Sequence, residues 1–143
     1  MKKIFNSFLI VAMIASVASI SSCTKTCDAG YEGSDCKTQI RAKFIGQFQG
    51  PETCTVGTDN YAITIANSST DIIKITITNV YNQTFVATAT VDGSTFAVAN
   101  QTVATCVTVE GTGTLSGNTL TFTYTIATVG AASNACTFTG TKI

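Results

Sequence analysis

The sequence predicts an all-β protein, an antiparallel meander of about eight strands closed into a barrel, with a two-sheet sandwich as the alternative. Apolar and polar residues alternate with a period of two through residues 43–143, as in strands with one buried face. The chain is rich in threonine and other β-branched residues and contains a single proline. Short connections containing Gly, Asn or Asp separate the alternating runs, and such connections join antiparallel neighbours.

The strands are expected to follow one another from Lys43 to Lys142. The first is predicted at residues 43–49 and the last at residues 136–142. Six alternating runs lie between them, beginning near Tyr61, Ile73, Phe85, Phe96, Val103 and Leu120. Asp92-Gly93 and Gly117-Asn118 are hairpin dipeptides. Gly111 and Gly113 separate two apolar runs and predict a bulge that bends one long strand.

The first 22 residues have the composition of an export signal. Lys2 and Lys3 precede an apolar run, residues 8–20, which is shorter than the roughly 20 residues of a bilayer span. The segment that follows, Ile20-Ser21-Ser22-Cys23, resembles the lipobox of bacterial lipoproteins. This resemblance implies a signal peptide over residues 1–22 and a lipid on Cys23. An ordinary cleavage site followed by a disulfide cysteine is the alternative.

Residues 23–42 are interpreted as the lipidated N terminus and a short cysteine loop. The segment from Cys27 to Cys36 has the spacing C-x-x-G-Y-x-G-x-x-C, which resembles the C-terminal part of an epidermal-growth-factor-like module. In that family the two cysteines pair, so the resemblance implies a Cys27–Cys36 disulfide. The other cysteines of a full module and its acidic calcium-binding signature are missing. The loop is therefore interpreted as a rigid spacer, with a receptor-like binding loop as the alternative.

The remaining cysteines bear on closure of the sheet. An exported protein meets an oxidising compartment, in which disulfides are the default. If the first and last strands pair, Cys54 lies beside Cys136. A disulfide between them would then link the two strands at the seam, the place where the sheet closes. Cys106 is then left unpaired. A Cys54–Cys106 bond is the rival assignment.

The composition argues against several classes of function. The sequence contains no histidine, which removes the commonest general base and metal ligand. Without Lys2 and Lys3, the chain has 6 basic and 8 acidic side chains. We therefore expect no basic surface for nucleic acid. The acidic residues are scattered and form no recognisable catalytic pair: Glu52, Asp59, Asp71, Asp92 and Glu110. We expect no enzyme activity, no metal and no cofactor.

The chain as a whole resembles small lipoproteins of the Bacteroidetes type, with a lipobox, a short cysteine loop and a lipocalin-like β-domain over residues 43–143. This resemblance implies an outer-membrane protein held by its lipid anchor, with the periplasmic side favoured over the cell surface. We expect a non-catalytic binding or interaction module, with a small apolar ligand in a cavity lined by Tyr61, Phe96 and Tyr124, or with another envelope protein as partner. The alternative is a structural envelope protein with a solid core and no ligand.

Overall fold

The computed structural model describes residues 26–143. The expected signal peptide, residues 1–22, and the expected lipidation site, Cys23, lie outside the described residues. Within residues 26–143, no helix is long and apolar enough to cross a membrane.

The fold is an eight-stranded, closed antiparallel barrel preceded by a small two-stranded sheet, which confirms the predicted all-β meander. Strands β1 (Tyr31–Glu32) and β2 (Thr38–Gln39) pair with each other, and a 3-10 helix (Ile40–Phe44) leads into the barrel. The barrel strands follow in chain order: β3 (Gly46–Cys54), β4 (Gly57–Asn67), β5 (Lys74–Val80), β6 (Phe85–Asp92), β7 (Thr95–Ala104), β8 (Val107–Ser116), β9 (Thr119–Thr128) and β10 (Asn134–Lys142). Each pairs with its sequence neighbour, and β10 closes on β3.

Alternation decides which side chains form the core. In β9, Leu120, Phe122, Tyr124 and Ile126 are buried, and the threonines between them point outward. Glycines on neighbouring strands leave room for aromatic rings: a Cβ at Gly113 would overlap the Phe96 ring. The interior is therefore filled by side chains that fit closely, as is usual for an eight-stranded barrel.

Three local predictions were wrong. The alternating run expected to begin near Val103 is divided by the β7–β8 turn, so that Val103 belongs to β7 and Val107 begins β8. The first barrel strand begins at Gly46 rather than at Lys43, because the preceding residues form the 3-10 helix, and it continues to Cys54. Gly111 and Gly113 form no bulge against β9, with which β8 pairs in continuous register. The pairing of β7 with β8 is instead irregular at two places in β7, between Val98 and Gln101 and between Thr102 and Ala104. Gly113 accommodates the ring of Phe96, and Gly111 lies close against the β9 backbone at Thr123 and Tyr124.

One end of the barrel is capped by the N-terminal elements, and we call it the capped end. Phe44 of the 3-10 helix is fully buried, with its ring centroid 5.7 Å from that of Phe96. Arg41 Nη1 donates to three carbonyl oxygens of the β4–β5 connection, at 2.7–3.0 Å. The loop closed by the Cys27–Cys36 disulfide lies at the same end, since a Cβ at Gly30 would lie 2.9 Å from Ile72 Cγ2.

The other end of the barrel, which we call the open end, is formed by four connections: β3–β4, β5–β6, β7–β8 and β9–β10. Val56 and Val129 lie in two of these connections and are 76% and 80% exposed. Cys106, in the β7–β8 turn, is exposed and is not part of a disulfide. No helix covers this end among the described residues, and Val56, Val129 and Cys106 are exposed to solvent there.

Candidate functional site

A carboxylate inside the barrel is held by two tyrosines. Glu52 is only 2% exposed, and the Tyr61 hydroxyl donates to Glu52 Oε1 at 2.6 Å. The Tyr124 hydroxyl donates to the same oxygen. Because an ionised carboxylate only accepts hydrogen bonds and both phenols point their hydroxyls at it, the geometry is that of a carboxylate between two donors.

Strand alternation places this cluster at one level of the barrel. Phe48, Gly50 and Glu52 are successive inward positions of β3, and residue 50 pairs with Tyr61 of β4. On the other side, Cys136 of β10 is the register partner of both Cys54 and Tyr124. Four adjacent strands around the seam therefore supply the cluster and the disulfide next to it: β4, β3, β10 and β9.

The surroundings of both phenols favour their protonated form. Burial, and then the hydrogen bond to the Glu52 carboxylate, raise the pKa of the Tyr61 hydroxyl well above its ordinary value of 10.0. The same two causes raise the pKa of Tyr124. A tyrosine acting as a base would need a lowered pKa. These two side chains are therefore equipped to donate hydrogen bonds and to orient the carboxylate.

The three residues expected to line a cavity are only partly brought together. Tyr61 and Tyr124 meet at Glu52, whereas Phe96 packs towards the capped end against Phe44 and Phe122, with centroid distances of 5.7 and 5.3 Å. Phe122 stacks on Tyr124 at 4.6 Å and so separates Phe96 from the carboxylate. All three expected residues are at most 6% exposed. Their rings form a packed aromatic core.

Two adjoining depressions lie at the open end. One, of about 250 Å³, has Glu52, Cys54 and Asp59 among its lining residues. The other, of about 310 Å³, is lined mainly by apolar side chains, among them Phe85, Val107 and Ile126. Three residues line both: Val56, Tyr81 and Gln83. We treat the two depressions as one cleft and call it the open-end cleft.

The apolar half of the open-end cleft contains a buried amide. Asn134 is 7% exposed, and its Nδ2 donates to the Tyr81 hydroxyl at 2.9 Å. Its Oδ1 is buried and has no hydrogen-bond partner among the described residues. A buried acceptor without a donor is costly, by about 1–3 kcal/mol, so this oxygen is a polar feature of the cleft wall that packing alone does not favour.

The structure contains disulfides between Cys27 and Cys36 and between Cys54 and Cys136, the pairs expected from the sequence, and leaves Cys106 free. One oxygen of Glu52 and the sulfurs of Cys54 and Cys136 lie within 4.8 Å of one another. Because the two sulfurs are bonded to each other, they offer no thiolate to a metal ion in this state.

Sequence reasoning missed Glu52 for an identifiable reason. The predicted first strand ends at Gln49, which leaves Glu52 in a connection, whereas the strand continues to Cys54. Pro51, which lies just beyond that predicted strand, is tolerated within the observed strand at an outward position. The alternation of Phe48, Gly50 and Glu52 was the available signal.

Comparison of the chain with protein-family models, with curated proteins and with solved structures finds no match.

Proposed function

We propose that this chain is a non-catalytic binding or interaction module of the bacterial cell envelope, held to the outer membrane by a lipid on Cys23, and that it binds through the open-end cleft. The observation that carries the proposal is the difference between the two ends of the barrel. One end is covered by the 3-10 helix and the cysteine loop, while the other presents a cleft with apolar walls, a buried carboxylate and an unpaired amide oxygen.

The place of the anchor supports this use of the open end. Cys27 belongs to the loop at the capped end and is four residues from Cys23. Four residues span at most about 14 Å, which is less than the length of a barrel of this kind. A lipid on Cys23 would therefore attach at the capped end and leave the open end directed away from the membrane.

The cellular setting rests on the resemblance to small Bacteroidetes-type lipoproteins. The export signal, the lipobox-like segment and two disulfides agree with a protein of the outer membrane, on its periplasmic side. Within this setting the cysteine loop, which resembles part of an epidermal-growth-factor-like module, acts as a rigid spacer between the lipid and the barrel.

The alternative is a structural envelope protein without a ligand, and the filled interior favours it. Aromatic rings occupy the space that a lipocalin-like ligand would need, since Phe96, Phe122 and Phe138 are at most 2% exposed. The proposal therefore concerns the open-end cleft and not the centre of the barrel.

Native mass spectrometry of the mature protein, purified in mild detergent from its own membrane, tests the proposal. Thr128 is an exposed residue of the open-end cleft, so Thr128→Trp should fill the cleft. Thr121→Trp, on the outward face of the same strand, is the matched control. We expect an additional bound mass in the native protein and in the control, reduced at least tenfold by Thr128→Trp.

Two results would favour the structural alternative instead. One is the absence of any additional mass in all three proteins. The other is an additional mass that all three retain equally, because that mass would then be bound outside the cleft.

A further inference from the structure

Glu52 is a buried carboxylate without a positive partner. Among residues 26–143 one ion pair is formed, between Lys43 and Glu32 at 2.8 Å. No basic side chain in this part of the chain lies within 4.0 Å of the Glu52 carboxylate. The two tyrosines both donate to Oε1, and Oε2 receives no hydrogen bond from the described residues. A buried charge is ordinarily paired, so this side chain has the environment of a counter-ion whose cation comes from outside the chain.

The charged residues that line the open-end cleft are all acidic. Its lining includes two acidic residues, Glu52 and Asp59, and no lysine or arginine. Asp59 is exposed and is held by Asn82, whose Nδ2 donates to Asp59 Oδ2 at 2.6 Å. Carboxylates that line a cleft without cations attract a positively charged ligand and disfavour an anion.

The neighbouring half of the cleft is apolar. Phe85, Val107 and Ile126 line it, together with Val56, which is shared with the other half. Asn134 also lines this half, and its buried Oδ1 has no donor among the described residues. A cleft of apolar surface with a few placed polar groups is the usual form of a small-molecule site.

From these features we infer that the open-end cleft binds a small amine, with the ammonium group at Glu52 and an apolar body against Phe85, Val107 and Ile126. A primary ammonium is compact, carries three donors and no acceptor, and so matches a lining of acceptors. The two halves of the cleft, about 250 and 310 Å³, admit a ligand of about the size of a single ring with a short chain. This inference rests on the proposed function and specifies its ligand class.

Methyl NMR spectroscopy of the mature, lipidated protein in phosphatidylcholine nanodiscs tests the inference. With isoleucine and valine methyl groups labelled, Val56, Val107 and Ile126 report on the open-end cleft, and Ile75, near the capped end, is an internal control. The probes are benzylammonium chloride and benzyl alcohol, which differ in the charge of the polar group. We expect benzylammonium to shift the cleft methyl signals and to bind at least tenfold more tightly than benzyl alcohol.

Glu52→Gln keeps the size of the side chain and an oxygen that can accept from the tyrosines, but it removes the charge. It should weaken benzylammonium binding at least tenfold and change benzyl alcohol binding less than twofold. Glu110→Gln is the matched control, because Glu110 is exposed on the outward face of β8 and does not line the cleft. This control should leave both affinities unchanged.

Three results would overturn the inference: equal affinity for the two probes, an unchanged benzylammonium affinity in Glu52→Gln, or no shift of the cleft methyl signals up to the solubility limit. If Glu52→Gln shifts the Ile75 signal without ligand, the fold has changed and Asp59→Asn decides instead. A loss of threefold or more in benzylammonium affinity then supports the inference, and an unchanged affinity overturns it.

The inference and the proposed function can fail separately. Binding of both probes at the cleft with equal affinity removes the preference for an ammonium group and leaves the cleft as a binding surface. Loss of the proposed function would appear in the mass-spectrometric experiment, in which Thr128→Trp would make no difference to the proteins purified from the membrane.

Discussion

The shared carboxylate oxygen makes a specific prediction about Tyr61 and Tyr124. Tyr61→Phe and Tyr124→Phe each remove one hydroxyl and keep the buried ring. After either single substitution, Glu52 Oε1 still has one donor. After both, a carboxylate in a residue that is 2% exposed has none. The cost of the double substitution should therefore exceed the sum of the two single costs.

The magnitudes follow from the character of these bonds. A hydrogen bond to a charged group contributes about 1.5–3 kcal/mol, and each single substitution should cost about 1.5 kcal/mol because one donor remains. Loss of both donors also leaves a buried charge unsatisfied, so we expect about 4–6 kcal/mol for the double variant. The coupling energy is then about 1–3 kcal/mol, within the range for residues that share a partner.

Urea unfolding of residues 24–143 with both disulfides intact, followed by circular dichroism, gives the free energies of unfolding. Tyr31→Phe, in the half-buried β1, is the matched control and should change stability by less than about 0.5 kcal/mol. If the two single costs add to the double cost, or if each single cost is close to zero, the tyrosines do not act together on Glu52 and the argument for an organised carboxylate fails.

Three further predictions concern pH, the disulfides and the packing of the core. Because the folded pKa of both Tyr61 and Tyr124 is raised above the ordinary value of 10.0, the unfolded chain loses these protons first. The free energy of unfolding should therefore fall as pH rises above about 10, and the double Phe variant should flatten this dependence in a Cys106→Ser background that prevents thiol exchange. Replacing Cys54 and Cys136 by Ala should cost up to about 4.5 kcal/mol, against about 2.6 kcal/mol for Cys27 and Cys36, since the sequence separations are 82 and 9. The reverse order in urea unfolding would contradict the loop-entropy argument. Gly113→Ala, whose Cβ would overlap the Phe96 ring, should cost about 3 kcal/mol by urea unfolding, and Phe96→Leu should recover part of it. An Ala variant as stable as the native chain would show that the ring moves freely.

Most of the barrel could be predicted because its signals are local. Alternation in β9 and the hairpin dipeptides at Gly93 and Gly117 each require only a few neighbouring residues, and both glycines have the positive φ values, 55° and 58°, that such turns need. The start of the first strand could not be predicted in this way. Residues 40–44 form a 3-10 helix because Phe44 fills the capped end, a contact with Phe96 that is distant in sequence.

The candidate site depends on closure of the sheet and so was harder to predict. Tyr61 and Tyr124 were recognised as inward aromatic residues, but the partner that unites them lies on a third strand. Glu52 and Tyr124 are 72 residues apart and meet only because β10 pairs with β3 at the seam. The alternation within β3 shows that residue 52 points inward. Predicting which side chains surround it requires knowledge of how four strands are aligned with one another.

The distribution of the buried polar side chains supports the proposal that the protein binds through the open end of the barrel. Three polar or charged side chains are buried among the described residues: Glu52, Ser68 and Asn134. Ser68 is satisfied within its own turn, where its Oγ lies 2.8 Å from Thr70 Oγ1. The other two lie at the open-end cleft, and each has an oxygen without a donor among residues 26–143.

Stability alone does not account for Glu52. Apolar residues of similar volume often replace a buried charged group at no cost or with a gain in stability. Leu at position 52 with Phe at positions 61 and 124 would continue the packed core that Phe48 and Phe138 already form. A carboxylate held by two tyrosines at the accessible end of an otherwise apolar interior is a local conflict with the fold, and such conflicts are expected where a protein binds something else.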